Sequence, residues 1–600
     1  MLPQRLHRVL PITIALLTLI AFLPALRNDF VNWDDETNFL ENEAYRGLGA
    51  DQIHWMWTSH LLGRYIPITW MTLGLDYSIW GMEPLGYHLT NIAWHAANAV
   101  LFYFLACQLF QWAIPAPSET IGARIPLAAF FAALVFAIHP LRVESVAWIT
   151  ERRDVVSGFF YLAAILVYIR GVRKSPERGL APRNYWACFA LFLLGILSKE
   201  IVVTLPVILL ILDVYPLGRL RAGWFGREAS RVWLEKLPFF AISLADSALA
   251  LYIGHQEKVT ASMAAINTLY RIAISVYGLA FYLWKTVLPF HLSPFYALTP
   301  HRIDIRALPL QLSIVVVIWI VAAALLFRRR FPAIPAAALA YGVTLIPVLG
   351  FFHNGRQIVA DRYSYLACLG FALLAGAVLL LWDSPPEAPS LSDVGPGFQP
   401  AAGLLPGAFP TTHTPPPTTC KVAHALLRAA SPLLATPAAV ALIALLGFLT
   451  WRQSAVWQDS TTLWTYANSV DPSYMSFNNL GLAYVHQGNT VAAIEQFRYS
   501  IQMDPRFEFS HTNLGGAMLQ LHEWDDAEQE FHIALAQKPD LVNAHTGLGY
   551  VLMEKGKLDE AIHEFETSLF IDPSYKPAQD NLEAARRLKQ SGAQAREVAK

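Results

Sequence analysis

Runs of about twenty apolar residues recur along almost the whole chain, each long enough to cross a hydrocarbon layer about 30 Å thick as a helix. They lie near residues 9–26, 86–111, 124–141, 155–170, 185–198, 201–216, 237–254, 268–289, 309–327, 333–351, 363–382 and 432–450. Lipid is therefore the main solvent, and about eleven or twelve spans are expected. Composition agrees: 55% of the 600 residues are hydrophobic and 15% charged, against about 25% charged in soluble domains. Many of the 18 Trp stand near the ends of the runs, where amphipathic rings settle at a bilayer interface. A net charge of −1 gives no global basic field for nucleic acid. Cys107, Cys188, Cys368 and Cys420 are scattered and form no CxxC pair, which argues against a disulfide framework and against zinc.

Loop lysines and arginines set the orientation. Arg5 and Arg8 precede the first run, and no small-x-small cleavage site follows it, so it reads as a retained helix with a cytoplasmic N-terminus. Loop 170–183 carries Arg170, Arg173, Lys174, Arg178 and Arg183. Segment 219–236 adds Arg219, Arg221, Arg227, Arg231 and Lys236, and Arg328, Arg329 and Arg330 follow a later run. All three clusters are expected to be cytoplasmic, which puts 27–85, 142–154 and 198–200 on the opposite face. That count leaves one crossing too many, so one segment within 237–289 is expected to be re-entrant or to lie along the interface. Residues 383–431, rich in Pro, Ser, Thr and Gly, can bury too little to fold and read as a linker.

From about residue 455 the pattern changes to soluble amphipathic helices with a period of 34. Gly481, Gly515 and Gly549 keep that register, as do Leu480, Leu514 and Leu548, Ala493, Ala527 and Ala561, and Phe497, Phe531 and Phe565. Small residues let paired helices approach, the Phe fills between them, and Pro472, Pro505, Pro539 and Pro573 close the units. This is the tetratricopeptide (TPR) pattern, with full repeats at 474–507, 508–541 and 542–575 inside a domain of 455–590. The expected fold is all-α: a membrane domain over 1–382, the linker 383–431, a last membrane helix at 432–450, and a TPR solenoid.

A TPR array binds, so any chemistry is expected from the membrane part, where polar residues in or beside apolar spans are the candidates. Asp34 and Asp35, with Glu36, follow Trp33 just outside the first span. One such carboxylate could take a proton from an acceptor hydroxyl, in surroundings that raise its pKa; equally, the acids could favour a helix start. His88, Asn91, His95 and Asn98 form one polar stripe along the second run. Metal binding is open to that stripe, but interhelical hydrogen bonding suits it better, and no HExxH pattern accompanies it. His139, Arg142, Glu144, Glu151, Arg152, Arg153 and Asp154 crowd the turn after the third run. Arginines there could clamp a lipid phosphate, or the turn could simply be laced with salt bridges. Lys199 with Glu200, Lys285, and the stretch His353–Arg356 to Asp361, Arg362 and Tyr363 also border spans. Singly such residues are snorkelling anchors; together they could build a cationic pocket.

These motifs collectively resemble the transmembrane and TPR-containing O-mannosyltransferases and their bacterial relatives, within the GT-C class of glycosyltransferases. The matching residues are Asn32 to Asp35, Tyr65, Pro67 and Thr69, Trp80 and Gly81, Tyr87, His88 and Asn91, and His139 and Pro140 with Val143 and Glu144. Arg152 with Asp154, Tyr282, Trp284, Lys285 and Pro289, and Asp361 to Tyr365 complete the set. The resemblance implies a GT-C-type helical bundle and a polyprenyl- or dolichyl-phosphate sugar donor, with mannose the expected sugar. It also implies an inverting transfer to Ser or Thr hydroxyls of proteins outside the cytoplasm, with Asp34 or Asp35 as base. No metal is required, because the leaving group is already a phosphate anion, although a divalent ion is not excluded. The expected donor-phosphate residues are Arg152, Lys199 and Arg362. His88, Asn91, His139, Glu144, Asp154 and Lys285 are further pocket candidates, and the TPR array is expected to bind a partner or acceptor protein. The expected location is a bacterial inner membrane, with the endoplasmic reticulum as the alternative. A non-catalytic TPR scaffold and a lipid-linked sugar transporter are the rival readings; no internal symmetry of the transporter kind is apparent.

Overall fold

A computed structural model describes residues 2–114, 119–174, 180–220, 223–256, 268–298, 304, 306–350, 357–381 and 431–598. The linker 383–430 and His353–Arg356 lie outside the described residues. Every apolar run is helical. They form α1 (Leu2–Ala21), then, after two shorter helices α2 (Ala50–Thr58) and α3 (Pro67–Trp80), α4 (Pro84–Ala113) and α5 (Glu119–Ala137). A short α6 (Val143–Ala147) leads to α7 (Arg152–Lys174), α8 (Pro182–Ile196), α9 (Leu205–Val214) and α10 (Arg227–Gln256). Next come α11 (Thr268–Val287), α12 (Leu308–Phe327), α13 (Ala333–Leu345), α14 (Leu369–Leu381) and α15 (Ser431–Ala455). Proline opens α3, α4 and α8, where its missing N–H and fixed φ suit the first turn. Gly81 ends α3 with φ +61°, a conformation open to glycine without strain.

Among the described residues five helices are long and apolar enough to cross a membrane, or up to seven if two bent pairs each count as one. The others are shorter or more polar. One end is marked by the arginine-rich loops. There Tyr168 donates to Asp213 (2.6 Å), Lys236 pairs with Asp213 (3.0 Å) and Arg219 with Glu235 (2.8 Å). The opposite end gathers the loop after α1, the turn between α5 and α7, and the stretch before α14.

α11 explains the surplus crossing. Near its start, Ile274 lies where a Cβ on Gly350 would come within 2.9 Å, and Gly350 follows the end of α13. Near its finish, the Thr286 carbonyl accepts a hydrogen bond from His139 Nε2 at 3.0 Å. Both ends therefore touch the same end of the bundle, and α11 lies across it. A two-stranded antiparallel ribbon, Tyr296–Ala297 with Gln357–Val359, covers it there.

α15 returns the chain to that end, where Thr450 Oγ1 donates to the Ile138 carbonyl (2.7 Å). α16 (Ser460–Val470) follows, then three helix pairs: α17 (Tyr474–His486) with α18 (Thr490–Met503), α19 (Glu508–Gln520) with α20 (Trp524–Gln537), and α21 (Val542–Glu554) with α22 (Leu558–Ile571). α23 (Lys576–Val598) caps them. The 34-residue register has a steric cause. A Cβ on Gly481, Gly515 or Gly549 would lie 2.5, 2.9 or 2.7 Å from the ring of Phe497, Phe531 or Phe565.

Candidate active site

The loop after α1 folds onto the turn between α5 and α7. Trp33 stacks on Trp148 with ring centres 4.3 Å apart. Asp35, 1% exposed, accepts hydrogen bonds from Val31 N (3.1 Å), Thr150 N (3.1 Å) and Thr150 Oγ1 (2.6 Å). Burial outweighs those three donors and holds its carboxyl up at about 7. Asp34 has the opposite setting. Its side chain is 26% exposed and lies 3.7 Å from the Arg64 guanidinium. The two neighbouring acids are therefore distinct: Asp35 pins the loop, and Asp34 is reachable.

Behind them lies a buried ion network. Arg152 contacts Asp76 (2.5 Å), the Tyr87 carbonyl (2.9 Å) and the Asn91 side chain. Lys199 pairs with Asp154 (2.6 Å) and Glu151 (3.1 Å). Arg362 meets Glu144 through its side chain and, at 2.9 Å, through its backbone N–H, and Glu151 at 3.0 Å. Arg153 also bonds Glu151. Of the expected donor-phosphate residues, Lys199 and Arg362 meet at Glu151 and Arg152 lies apart on Asp76; each already faces a carboxylate, and Asp154 and Glu144 are further partners of Lys199 and Arg362. Buried pairs of this kind hold only because both charges are present.

The polar stripe of α4 faces protein. His95 bonds Tyr365 OH and the Ala137 carbonyl, each at 2.8 Å, and Asn98 bonds Tyr365 OH (2.8 Å) and the Val155 carbonyl (2.8 Å). His88 is buried in the same wall without joining the ion network. His139 contacts Leu141 N (3.2 Å) besides Thr286. Lys285 donates to the carbonyls of Phe290 (2.7 Å) and His291 (2.9 Å) beyond the end of α11. Among the described residues no group of three His, Cys, Asp or Glu is placed to hold a metal ion.

One cation stands apart. Arg142 is 1% exposed and donates from Nη2 to Ser364 Oγ at 2.9 Å. Its guanidinium lies 5.6 and 5.8 Å from the ring centres of Tyr365 and Phe136. The Cys368 thiol lies against the guanidinium, but Nε and Nη1 find no oxygen or nitrogen partner and no carboxylate within 4 Å among the described residues. Next to Tyr365 in sequence, Leu366 and Ala367 begin the lining of an apolar cavity of about 170 Å³ between α4, α7, α9, α13 and α14. Arg142 sits in the charged turn visible in the sequence, but only its lack of a carboxylate partner separates it from the other arginines.

Taken together, fold and site define a multi-pass helical membrane protein with a TPR array and a buried cluster of paired charges at the array's end of the bundle. A tetratricopeptide-repeat family model matches residues 513–576. The human protein O-mannosyl-transferase TMTC4 is 29% identical over 215 residues, 34% of this chain and 28% of its own. The Caenorhabditis elegans protein O-mannosyl-transferase F38B6.6 is 24% identical over 515 residues, 82% of this chain and 62% of its own. The Drosophila melanogaster protein O-mannosyl-transferase Tmtc3 is 31% identical over 169 residues, 26% of this chain and 18% of its own. The chain thus spans less than two thirds of each of these relatives. Along these stretches it is similar to the transmembrane and TPR-containing protein O-mannosyl-transferases, as the sequence motifs imply.

Proposed function

We propose that this protein is an integral membrane glycosyltransferase that moves a sugar, mannose, from a polyprenyl- or dolichyl-phosphate donor to Ser or Thr hydroxyls of proteins. The observation that carries the lipid-phosphate reading is Arg142: a buried guanidinium with no carboxylate within 4 Å among the described residues. The phosphodiester of the donor, and the phosphate monoester left after transfer, would accept from its unused N–H groups, with Lys285 as the second candidate cation, and an isoprenoid tail suits the apolar cavity between α4, α7, α9, α13 and α14. Asp34 is the base. It takes the acceptor hydroxyl proton while the hydroxyl oxygen attacks the anomeric carbon. The bond from that carbon to the phosphate oxygen breaks, its electron pair stays on the phosphate, and the anomeric centre inverts. Lys199 and Arg362 act by holding Glu144, Glu151 and Asp154 in register, and Arg152 by holding Asp76 and Asn91.

The TPR array meets the loop that carries Asp34, which supports an acceptor arriving from the same side of the membrane. That side is the extracytoplasmic one if the arginine-rich loops are cytoplasmic. The three relatives are animal proteins and lend a bacterial inner membrane no support.

The scaffold reading keeps one observation in its favour: most buried charges pair with one another, as a purely structural clamp would. The deciding experiment incubates purified full chain with defined polyprenyl-phosphate sugars and a Ser/Thr-rich acceptor. Consumption of one sugar with label appearing on the acceptor is the expected result. No turnover of any lipid-phosphate sugar, in protein that binds partners normally, would leave the scaffold.

A further inference from the structure

We infer that Asn32 is a positioning residue for Asp34, and that the α16–α17 junction it binds is a built part of the site, not a tether for a separate binding module. The inference rests on the transferase reading above.

Asn32 has three polar groups besides its carbonyl, and all three are spent on residues more than 400 positions away. Its backbone N–H donates to Ser460 Oγ (2.8 Å). Its Nδ2 donates to the Asn479 carbonyl (2.8 Å), and its Oδ1 accepts from Trp464 Nε1 (2.7 Å). Two neighbouring residues repeat the theme: Asp29 N donates to the Gln458 carbonyl (2.8 Å) and Asn28 Nδ2 to the Ser454 carbonyl (3.2 Å). Trp33 is then held between Trp148, stacked at 4.3 Å, and the edge of Trp464 at 5.3 Å. Trp464 itself is fully buried.

Asp34 therefore lies between two fixed points. On one side Asn32 is anchored to the helix that leads into the repeats. On the other Asp35 is anchored to Thr150 in the charged turn. A proton acceptor must sit within a few tenths of an ångström of its productive place, and a loop gains that precision only from what it is fastened to. One fastening is local to the membrane part. The other comes from the junction with the TPR array, close to the repeat that also places His486 3.3 Å from Glu36.

The test uses the full chain in detergent with a mannosyl polyprenyl-phosphate and a Ser/Thr peptide too short to reach along the repeats. Trp464→Phe keeps an aromatic ring against Trp33 and removes the N–H that Asn32 accepts together with part of the buried indole, so its rate is read per folded protein; Ser460→Ala removes only the hydroxyl that accepts from the Asn32 N–H. Gln458→Ala is the control, because only its backbone carbonyl bonds the loop. The expected result is a kcat per folded protein at least tenfold lower for Trp464→Phe and for Ser460→Ala, with the donor KM within twofold and, for Ser460→Ala, the melting temperature that of Gln458→Ala. Wild-type kcat in both variants overturns the inference. So does a loss of rate that only tracks a lower folded fraction, read from the melting curve. If the unaltered protein transfers no sugar, the transferase reading fails instead.

Discussion

Asp35→Asn separates the role of the buried carboxyl from that of its neighbour. Asn is nearly isosteric and keeps an oxygen for Thr150 N and Oγ1, but an amide turned toward Val31 N would set donor against donor. That defect costs about 1–2 kcal/mol at every pH. The pH-dependent part is different. Burial raises the Asp35 pKa from 3.8 to about 7. A carboxyl with a raised folded pKa contributes stability that is complete below the unfolded value and is lost as pH rises through the folded one. Between pH 5 and 8 the unaltered protein should lose roughly 3 kcal/mol that the variant does not. The assay is thermal unfolding of both full chains in detergent at half-unit steps of pH. The two should be close in stability at pH 5, where the unaltered protein has already lost about 1.7 kcal/mol, and the variant should be the more stable by roughly 2–3 kcal/mol at pH 8. A gap constant across that range would refute the argument and mean that Asp35 is ionised throughout, with its three hydrogen bonds outweighing burial.

Three further outcomes follow from the geometry. Arg142→Leu removes a charge-assisted hydrogen bond of about 2 kcal/mol, so the donor KM should rise roughly 30-fold with little change in the KM for peptide. Arg152→Ala leaves Asp76 buried and unpaired, a loss of roughly 3–5 kcal/mol; the chain should melt early or aggregate, and Asp76→Asn in the same chain should restore part of the loss. Gly549→Ala drives a methyl to 2.7 Å from the Phe565 ring and should destabilise the repeats by about 1–3 kcal/mol. Faster proteolysis between α21 and α22, with membrane-domain activity retained, would show it.

What the sequence made legible was periodic or local. The apolar runs are helices because their length and hydrophobicity leave them few alternatives in lipid. The TPR register was readable because Gly481, Gly515 and Gly549 each face a Phe at a fixed offset. The meeting of the Trp33 loop with the 139–154 turn followed from loop charges and parity. The pairing of charges was not legible. Arg362 and Glu144 are 218 positions apart, and Arg152 and Asp76 are 76 apart, so which cation is neutralised depends on tertiary contacts that no spacing encodes. Arg142 looked like its neighbours for that reason. α11 resembled a span in length, and only its contacts at both ends show it lying across the bundle. The anchoring of Asn32 to Ser460, Trp464 and Asn479 joins the two ends of the chain and has no local signature at all.

The most direct test of the central claim is a single-turnover measurement with Asp34→Asn. The variant should bind the lipid-phosphate sugar as the unaltered protein does, melt within a degree or two of it, and transfer sugar at least a hundredfold more slowly. A transfer rate equal to that of the unaltered chain would contradict the account, because the half-buried carboxylate assigned as base would then have no part in the chemistry.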